Sequence, residues 1–170
     1  AEDPIAKDLA INQCKLQPIP IVIAAQSTEA CRRAARLNAG ILFDSLQSPE
    51  VSKKLSCIYR EAGGNGPVIL IRRVWIGSPP TSQIQAQMEH YHSYASDRAK
   101  ANWIQGDSTV FGQNGAEAAE RLSGIVHDSG CDTVNIRVHV AGLKADQVIE
   151  QLGRHKDDLV PVLKSDLKRG

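Results

Sequence analysis

Pro18-Ile-Pro-Ile-Val-Ile-Ala-Ala-Gln-Ser-Thr-Glu-Ala-Cys-Arg-Arg-Ala-Ala-Arg36 carries two hydrophobic patterns in succession, and the switch between them decides the fold. Ile19, Ile21, Val22, Ile23 and Ala24 form a near-continuous apolar run, the pattern of a strand covered on both faces, and such strands belong to parallel sheets. Pro18 and Pro20 stand at its start, where no ladder donor is missed. After the turn Ala25-Gln26-Ser27, a hydroxyl at Ser27 or Thr28 precedes Glu29, Ala30, Ala34 and Ala35, so an N-cap with an acid in the first turn opens a helix. A helix that starts at the carboxyl end of a parallel strand points its free N–H groups and its positive dipole end above the sheet, where phosphate is the usual guest. Taken alone, Ser27 and Thr28 do what most such residues do, which is cap the helix; phosphate binding gains weight only where neighbouring strand exits stand beside them.

The same unit recurs along the chain. Residues 39–44 form a second apolar run behind Asn38 and Gly40, with Asp44 and Ser45 at its exit. Ser48-Pro49-Glu50 starts a helix carrying Val51, Leu55, Ile58 and Tyr59, and the Gly-rich residues 63–66 stop it. Residues 67–76 read as a third strand with Val68, Leu70, Arg72 and Val74 on one side and Ile69, Ile71, Arg73 and Trp75 on the other. Adjacent arginines put one guanidinium on each face, so one meets the covered interior or a ligand unless its head reaches solvent at the sheet end.

A long polar helix is expected over residues 81–101, with His90 and His92 as rim histidines too far around the helix from each other to share a metal. Residues 103–113 read as a Gly-containing connector. Asn114 opens a helix with Ala118, Leu122, Ile125 and Val126 inward. Residues 132–138 form a fourth strand, alternating Thr133, Asn135 and Arg137 against Val134, Ile136 and Val138, so that Asn135, Arg137 and His139 face one way. A final helix over 144–167 is bent or broken near Pro161. Residues 1–17 are a short helix or an extended linker, ahead of one domain over 18–170.

This order is an α/β pattern giving four parallel strands with right-handed crossovers and outer helices. An open doubly wound sheet would carry a GxGxxG turn after an early strand, and Ala25-Gln26-Ser27-Thr28 has none. Half of a (β/α)8 TIM-type barrel is the favoured architecture.

At 170 residues and 42% apolar the chain can build one core, and a net charge of +1 leaves no basic field for nucleic acid. Its longest apolar run is too short to span a bilayer. Cys14, Cys31, Cys57 and Cys131 form no CxxC pair, so neither a zinc site nor a redox motif is written; Cys31 and Cys57 fall on helix faces as core residues, and a reducing cytoplasm is expected. The opening Ala1-Glu-Asp-Pro suggests a processed piece of a longer product.

The turn 24–27 followed by Ala34-Ala35-Arg36 and Gly40-Ile41-Leu42, then Val110-Phe-Gly112, the helix with Glu117 to Leu122, the strand 132–137, and the closing Gly142-Leu143, Gln147-Val148 and Leu159-Val160-Pro161-Val162-Leu163 resemble the bacterial luciferase-like flavin monooxygenases. The resemblance rests on the order and spacing of short motifs from Pro18 onward. It implies the second half, strands five to eight, of a barrel of about twice this length. It also implies that Ala25, Gln26, Ser27 and Thr28 hold the phosphate of FMN or of a deazaflavin. A further hydroxyl found one turn later in some members is Ala30 here. The substrate-activating residues belong to the first half, so no catalytic residue is assigned in this chain and no metal is expected.

The expected function is flavin-dependent oxidation in which reduced flavin, oxygen and a small-molecule substrate meet at the barrel mouth. Arg72 (or Arg73 as an anion partner), Asn135, Arg137 and His139 are the substrate-wall candidates. The expected partner is an N-terminal half-barrel or a second copy of the chain in a homo-oligomer. The alternative is a non-catalytic half-barrel serving binding or assembly, and a further rival is a barrel enzyme acting on a sugar phosphate.

Overall fold

The computed structural model describes residues 7–104 and 108–166. All its strands run parallel: β1 (Val22–Ala24), β2 (Gly40–Phe43), β3 (Val68–Ile76), β4 (Val110–Gly112) and β5 (Thr133–Arg137). β3 is the axis. β2 and β5 pair with its amino-terminal half on opposite edges, and β4 pairs with Val74, Trp75 and Ile76 near its end. The order β1-β2-β3-β5 is the four-stranded arrangement expected from the sequence, with β4 added.

Helices α2 (Thr28–Arg36), α3 (Pro49–Glu61), α6 (Gly115–Asp128) and α8 (Val160–Asp166) cover one face of the sheet. Each begins or packs for a local reason. Ser48 caps α3 by accepting from the Val51 amide at 3.3 Å, with Pro49 in the first turn where a missing N–H costs nothing. Asn114 caps α6 through the Glu117 amide, while the Glu117 carboxylate reaches back to the Gln113 amide at 2.8 Å. Small inward residues of α2 and α6, among them Ala30, Ala34, Ala118 and Ala119, let these helices lie close to Ile41, Phe43, Val68, Leu70 and Val74. Tyr59 and Leu122 are fully buried in that layer, each worth about 1.5–3 kcal/mol of apolar burial. The Tyr59 hydroxyl donates to the Ala39 carbonyl and accepts from the Gly66 amide, both at 2.8 Å, which ties the β2 and β3 starts together.

The opposite face carries rows set by register: Ala24, Leu42, Ile69 and Thr133 lie side by side, then Ile71 beside Asn135, then Arg73 beside Arg137. α4 (Thr81–Tyr94) lies toward the carboxyl end of this face, where the Arg73 guanidinium donates to Gln87 Oε1 at 2.5 Å. Thr133, Asn135 and Arg137 are exposed.

Several expectations are corrected. The run 18–24 is not a strand buried on both faces: only Val22–Ala24 is strand, and Ile19 and Ile21 are 69% and 66% exposed because β1 is a sheet edge with helices on one side only. The connector 103–113 contains β4. The helix expected over 81–101 stops at Tyr94, and Ser96 caps a separate short α5 (Asp97–Lys100) by accepting from the Ala99 amide. Of the two states left open for residues 1–17, the described part takes the short helix: Leu9–Leu16 is α1, capped by Asp8. Near Pro161 the last helix neither breaks nor stays α-helical: α7 (Ala145–Arg154) passes through a π-helical stretch, His155–Leu159, into α8. Proline lacks an N–H and crowds the preceding turn, and the wider π turn meets both demands. Cys31 is buried, its thiol pushed up to about 11 by burial, but Cys57 is exposed rather than a core residue. No helix among the described residues is long and apolar enough to cross a membrane.

Candidate functional site

The carboxyl ends of β1 and β2 meet through Gln26 and Asp44. Ser27 caps α2, its Oγ accepting from the Ala30 amide at 3.3 Å, so the hydroxyl stands at the helix start as the sequence indicates. The first α2 amides, those of Thr28 and Glu29, form no hydrogen bond among the described residues, as expected for the opening turn of a helix. Gln26 Nε2 donates to Asp44 Oδ2 at 2.5 Å, while Asp44 Oδ1 accepts from the Leu46 and Gln47 amides at 2.7 and 3.0 Å. Asp44 thus closes an Asx-type turn and anchors the α2 turn with its second oxygen.

Beneath that turn lies Arg72, fully buried on the helix-covered face. Its Nη1 donates to the carbonyls of Ile71, Ser45 and Asp44 at 2.9, 3.2 and 3.3 Å, and Nη2 donates to Gln47 O at 2.7 Å. Burial lowers its ordinary value to about 10, against the attraction of the Asp44 carboxylate, so it stays charged at neutral pH. Arg72 therefore does not stand with Asn135 and Arg137: it occupies the other side of the sheet and organises the 44–47 loop from below. Of the two arginines, Arg73 takes the place beside Arg137.

That loop in turn receives the segment after α5. Gln47 and Trp103 form an antiparallel bridge, flanked by bonds from Ser48 N to Asn102 O at 2.9 Å and from Ile104 N to Leu46 O at 2.7 Å. Successive residues of an extended segment face opposite ways. Asn102 accordingly lines one cleft and Trp103 another.

The first cleft, about 280 Å³, is lined by Gln26 and Ser27 on the α2 side and by Ser96, Arg98, Ala99 and Asn102 on the other. Arg98 forms no ion pair or hydrogen bond among the described residues and lines the same cleft as the start of α2. Of the four phosphate candidates, Gln26 and Ser27 line the cleft, Thr28 begins the helix beside it, and the Ala25 side chain is buried in the core. Donors of this kind, a helix start, a hydroxyl, two amides and a guanidinium, suit a phosphate oxyanion.

The second cleft, about 210 Å³, lies among Asp44, Ser45, Leu46, Tyr91, Tyr94, Trp103 and Arg137. Arg137 alone of the wall candidates reaches it. Asn135 lies one row back on the same face, and His139 is exposed beyond the end of β5. His90 and His92 make ring contacts with Tyr94 and Trp103, respectively. Arg98, Asn102, Tyr91, Tyr94 and Trp103 carry no motif that marks them in the sequence; the Ser96-Asp97 helix start is the available signal for the break after α4 that gathers them.

No family model matches the chain, and no curated protein matches its sequence. Solved structures match in fold. The monooxygenase RslO1 from Streptomyces bottropensis is 17% identical with a TM-score of 0.58 over 84% of this chain and 47% of its own. EDTA monooxygenase (EmoA) from Chelativorans sp. BNC1 is 15% identical with a TM-score of 0.53 over 87% of this chain and 47% of its own. Apo-MsnO8 is 10% identical with a TM-score of 0.51 over 88% and 51%. At these identities the likeness is one of fold. The chain spans about half the length of each, and its parallel sheet, with four helices on one face, is the half-barrel expected from the sequence, with one short strand more.

Proposed function

We propose that this chain is the flavin-holding half of a flavin-dependent monooxygenase of the luciferase-like type. One observation carries the reading: Gln26 and Ser27, at the start of α2, share a cleft of about 280 Å³ with Asn102 and with Arg98, which has no partner among the described residues. The fold likeness to proteins named as monooxygenases supports the reaction class. In this reading Ser27, Gln26 and Arg98 hold the phosphate of FMN or of a deazaflavin. Reduced flavin, once bound, supplies the electrons that activate oxygen. The chain's own residues would seat the phosphate and line part of the substrate wall. An N-terminal half-barrel or a second copy closes that face and excludes water.

Reconstitution with FMN followed by gel filtration tests the proposal. Yellow flavin absorbance that travels with the protein is expected. A colourless protein after saturation with both FMN and a deazaflavin would favour the non-catalytic assembly module instead.

A further inference from the structure

The second cleft has a composition the phosphate seat does not share. Tyr91 and Tyr94 meet edge to face, ring centres 6.1 Å apart at 82°. Across from them Trp103 is held by His92 at 5.2 Å and 71°, and by the bridge of its backbone to Gln47. Rings fixed by such contacts give flat apolar walls at little entropic cost to a ligand. Asp44, the one carboxylate in the lining among the described residues, already accepts three hydrogen bonds from Gln26, Leu46 and Gln47. Arg137, by contrast, forms no hydrogen bond or ion pair among the described residues. It also sits in register with Arg73, and like charges directly opposite on one face of a sheet repel. An anion beside Arg137 relieves that repulsion and fills the vacant donors of the guanidinium fork.

We infer that the cleft between α4, Trp103 and the end of β5 binds a small planar aromatic carrying one anionic group, with its ring against Tyr91, Tyr94 and Trp103 and its anion on Arg137. The volume of about 210 Å³ lies below the roughly 300–1,000 Å³ of a drug-sized site, which limits the occupant to a small ring system. Asp44 borders the cleft and bonds Gln26 of the phosphate seat, so the two sites adjoin. As a substrate site the cleft rests on the monooxygenase reading; as a binding site it does not need flavin.

Calorimetric titration of the purified chain with cinnamate, its neutral counterpart cinnamyl alcohol and the non-aromatic anion hexanoate tests the inference. Cinnamate is expected to bind tightest. Arg137 is exposed, so Arg137→Gln leaves folding intact, weakens cinnamate by about tenfold or more and leaves cinnamyl alcohol unchanged. Tyr91→Leu weakens both aromatic ligands. Equal affinity for acid and alcohol, hexanoate binding as well as cinnamate, an Arg137→Gln protein indistinguishable from the parent, or no binding of cinnamate would each overturn the inference. FMN titration of the same Arg137→Gln protein separates the two readings. Retained FMN with lost preference for the acid supports both; cinnamate binding to the parent without FMN binding overturns the flavin reading and leaves the cleft.

Discussion

Gln26 Nε2 donates to Asp44 Oδ2 at 2.5 Å, a single bond that joins the exits of two neighbouring strands. Because the other Asp44 oxygen closes the turn to Leu46 and Gln47, one carboxylate sets both the phosphate seat and the loop beneath the aromatic cleft. Asp44→Ala should therefore cost about 2–3 kcal/mol of stability, and Asp44→Asn less, since the amide oxygen still accepts from the loop. Urea denaturation measures both. A change under about 0.5 kcal/mol in the alanine variant would mean the turn holds without Asp44.

Arg72 makes the larger contribution from below. A lysine in its place keeps the charge but offers a compact ammonium to carbonyls spread along 44–47, which a planar fork spans and an ammonium does not. Arg72→Lys should lower stability by about 2 kcal/mol, and Arg72→Met by about 3 kcal/mol or more, because several buried carbonyls lose their donor. Thermal unfolding followed by circular dichroism checks the order of the series. Equal stability of the methionine variant and the parent would show the loop to be self-supporting.

His155 gives the pH dependence a definite sign. Burial holds it below its ordinary 6.5, against a bond with the Val74 backbone, so the folded chain prefers the neutral ring. The unfolded chain takes up the proton first. Its contribution is therefore whole above about pH 6.5 and is lost as pH falls below that value toward the folded value. Glu50 acts lower: its carboxyl is held below 4.5 mainly by its own backbone amide, so its contribution is lost only as pH falls under that value. Between pH 7 and 5, the melting temperature of the parent should fall more than that of His155→Gln. Parallel curves for the two proteins would refute the assignment.

The carboxyl-end geometry was legible in sequence to different depths. Ser27 as N-cap and the inward run Ile41, Phe43, Val68 and Leu70 follow directly from period and capping chemistry. β4 did not, because three residues ending in Gly112 look like a connector. A side chain at Gly112 would collide with the Ala118 backbone nitrogen, so the glycine records a close helix crossing rather than a loop. Ile19 and Ile21 differ for another reason: an apolar run reports surface able to be buried, not what buries it, and both stay exposed on the side of β1 that no described helix covers. Arg72 and Arg73 could be placed on opposite faces by alternation, but alternation does not say which face the helices cover. Arg98 and Asn102 reach the seat because the chain breaks at Ser96: its cap marks a new helix start in the sequence, but the contact with the start of α2 is long-range and leaves no local pattern.

That uncovered side makes an assembly prediction. β1 and β5 leave strand edges unpaired among the described residues, and Ile19, Ile21, Val22 and Leu37 are exposed. Light scattering at micromolar concentration should give at least a dimer, or a stable complex with a half-barrel partner, burying on the order of 2,000 Å². A well-folded monomer would show that the sheet needs no complement.

The central claim concerns phosphate at the start of α2, and a paired titration with FMN and riboflavin, which differ only in that phosphate, tests it most directly. The parent should bind FMN more tightly by about 2 kcal/mol or more, and the gap should shrink by about 1–3 kcal/mol in Ser27→Ala and again in Arg98→Gln, while riboflavin affinity holds. Equal affinity of the parent for the two flavins, or a gap that survives both substitutions, would contradict it.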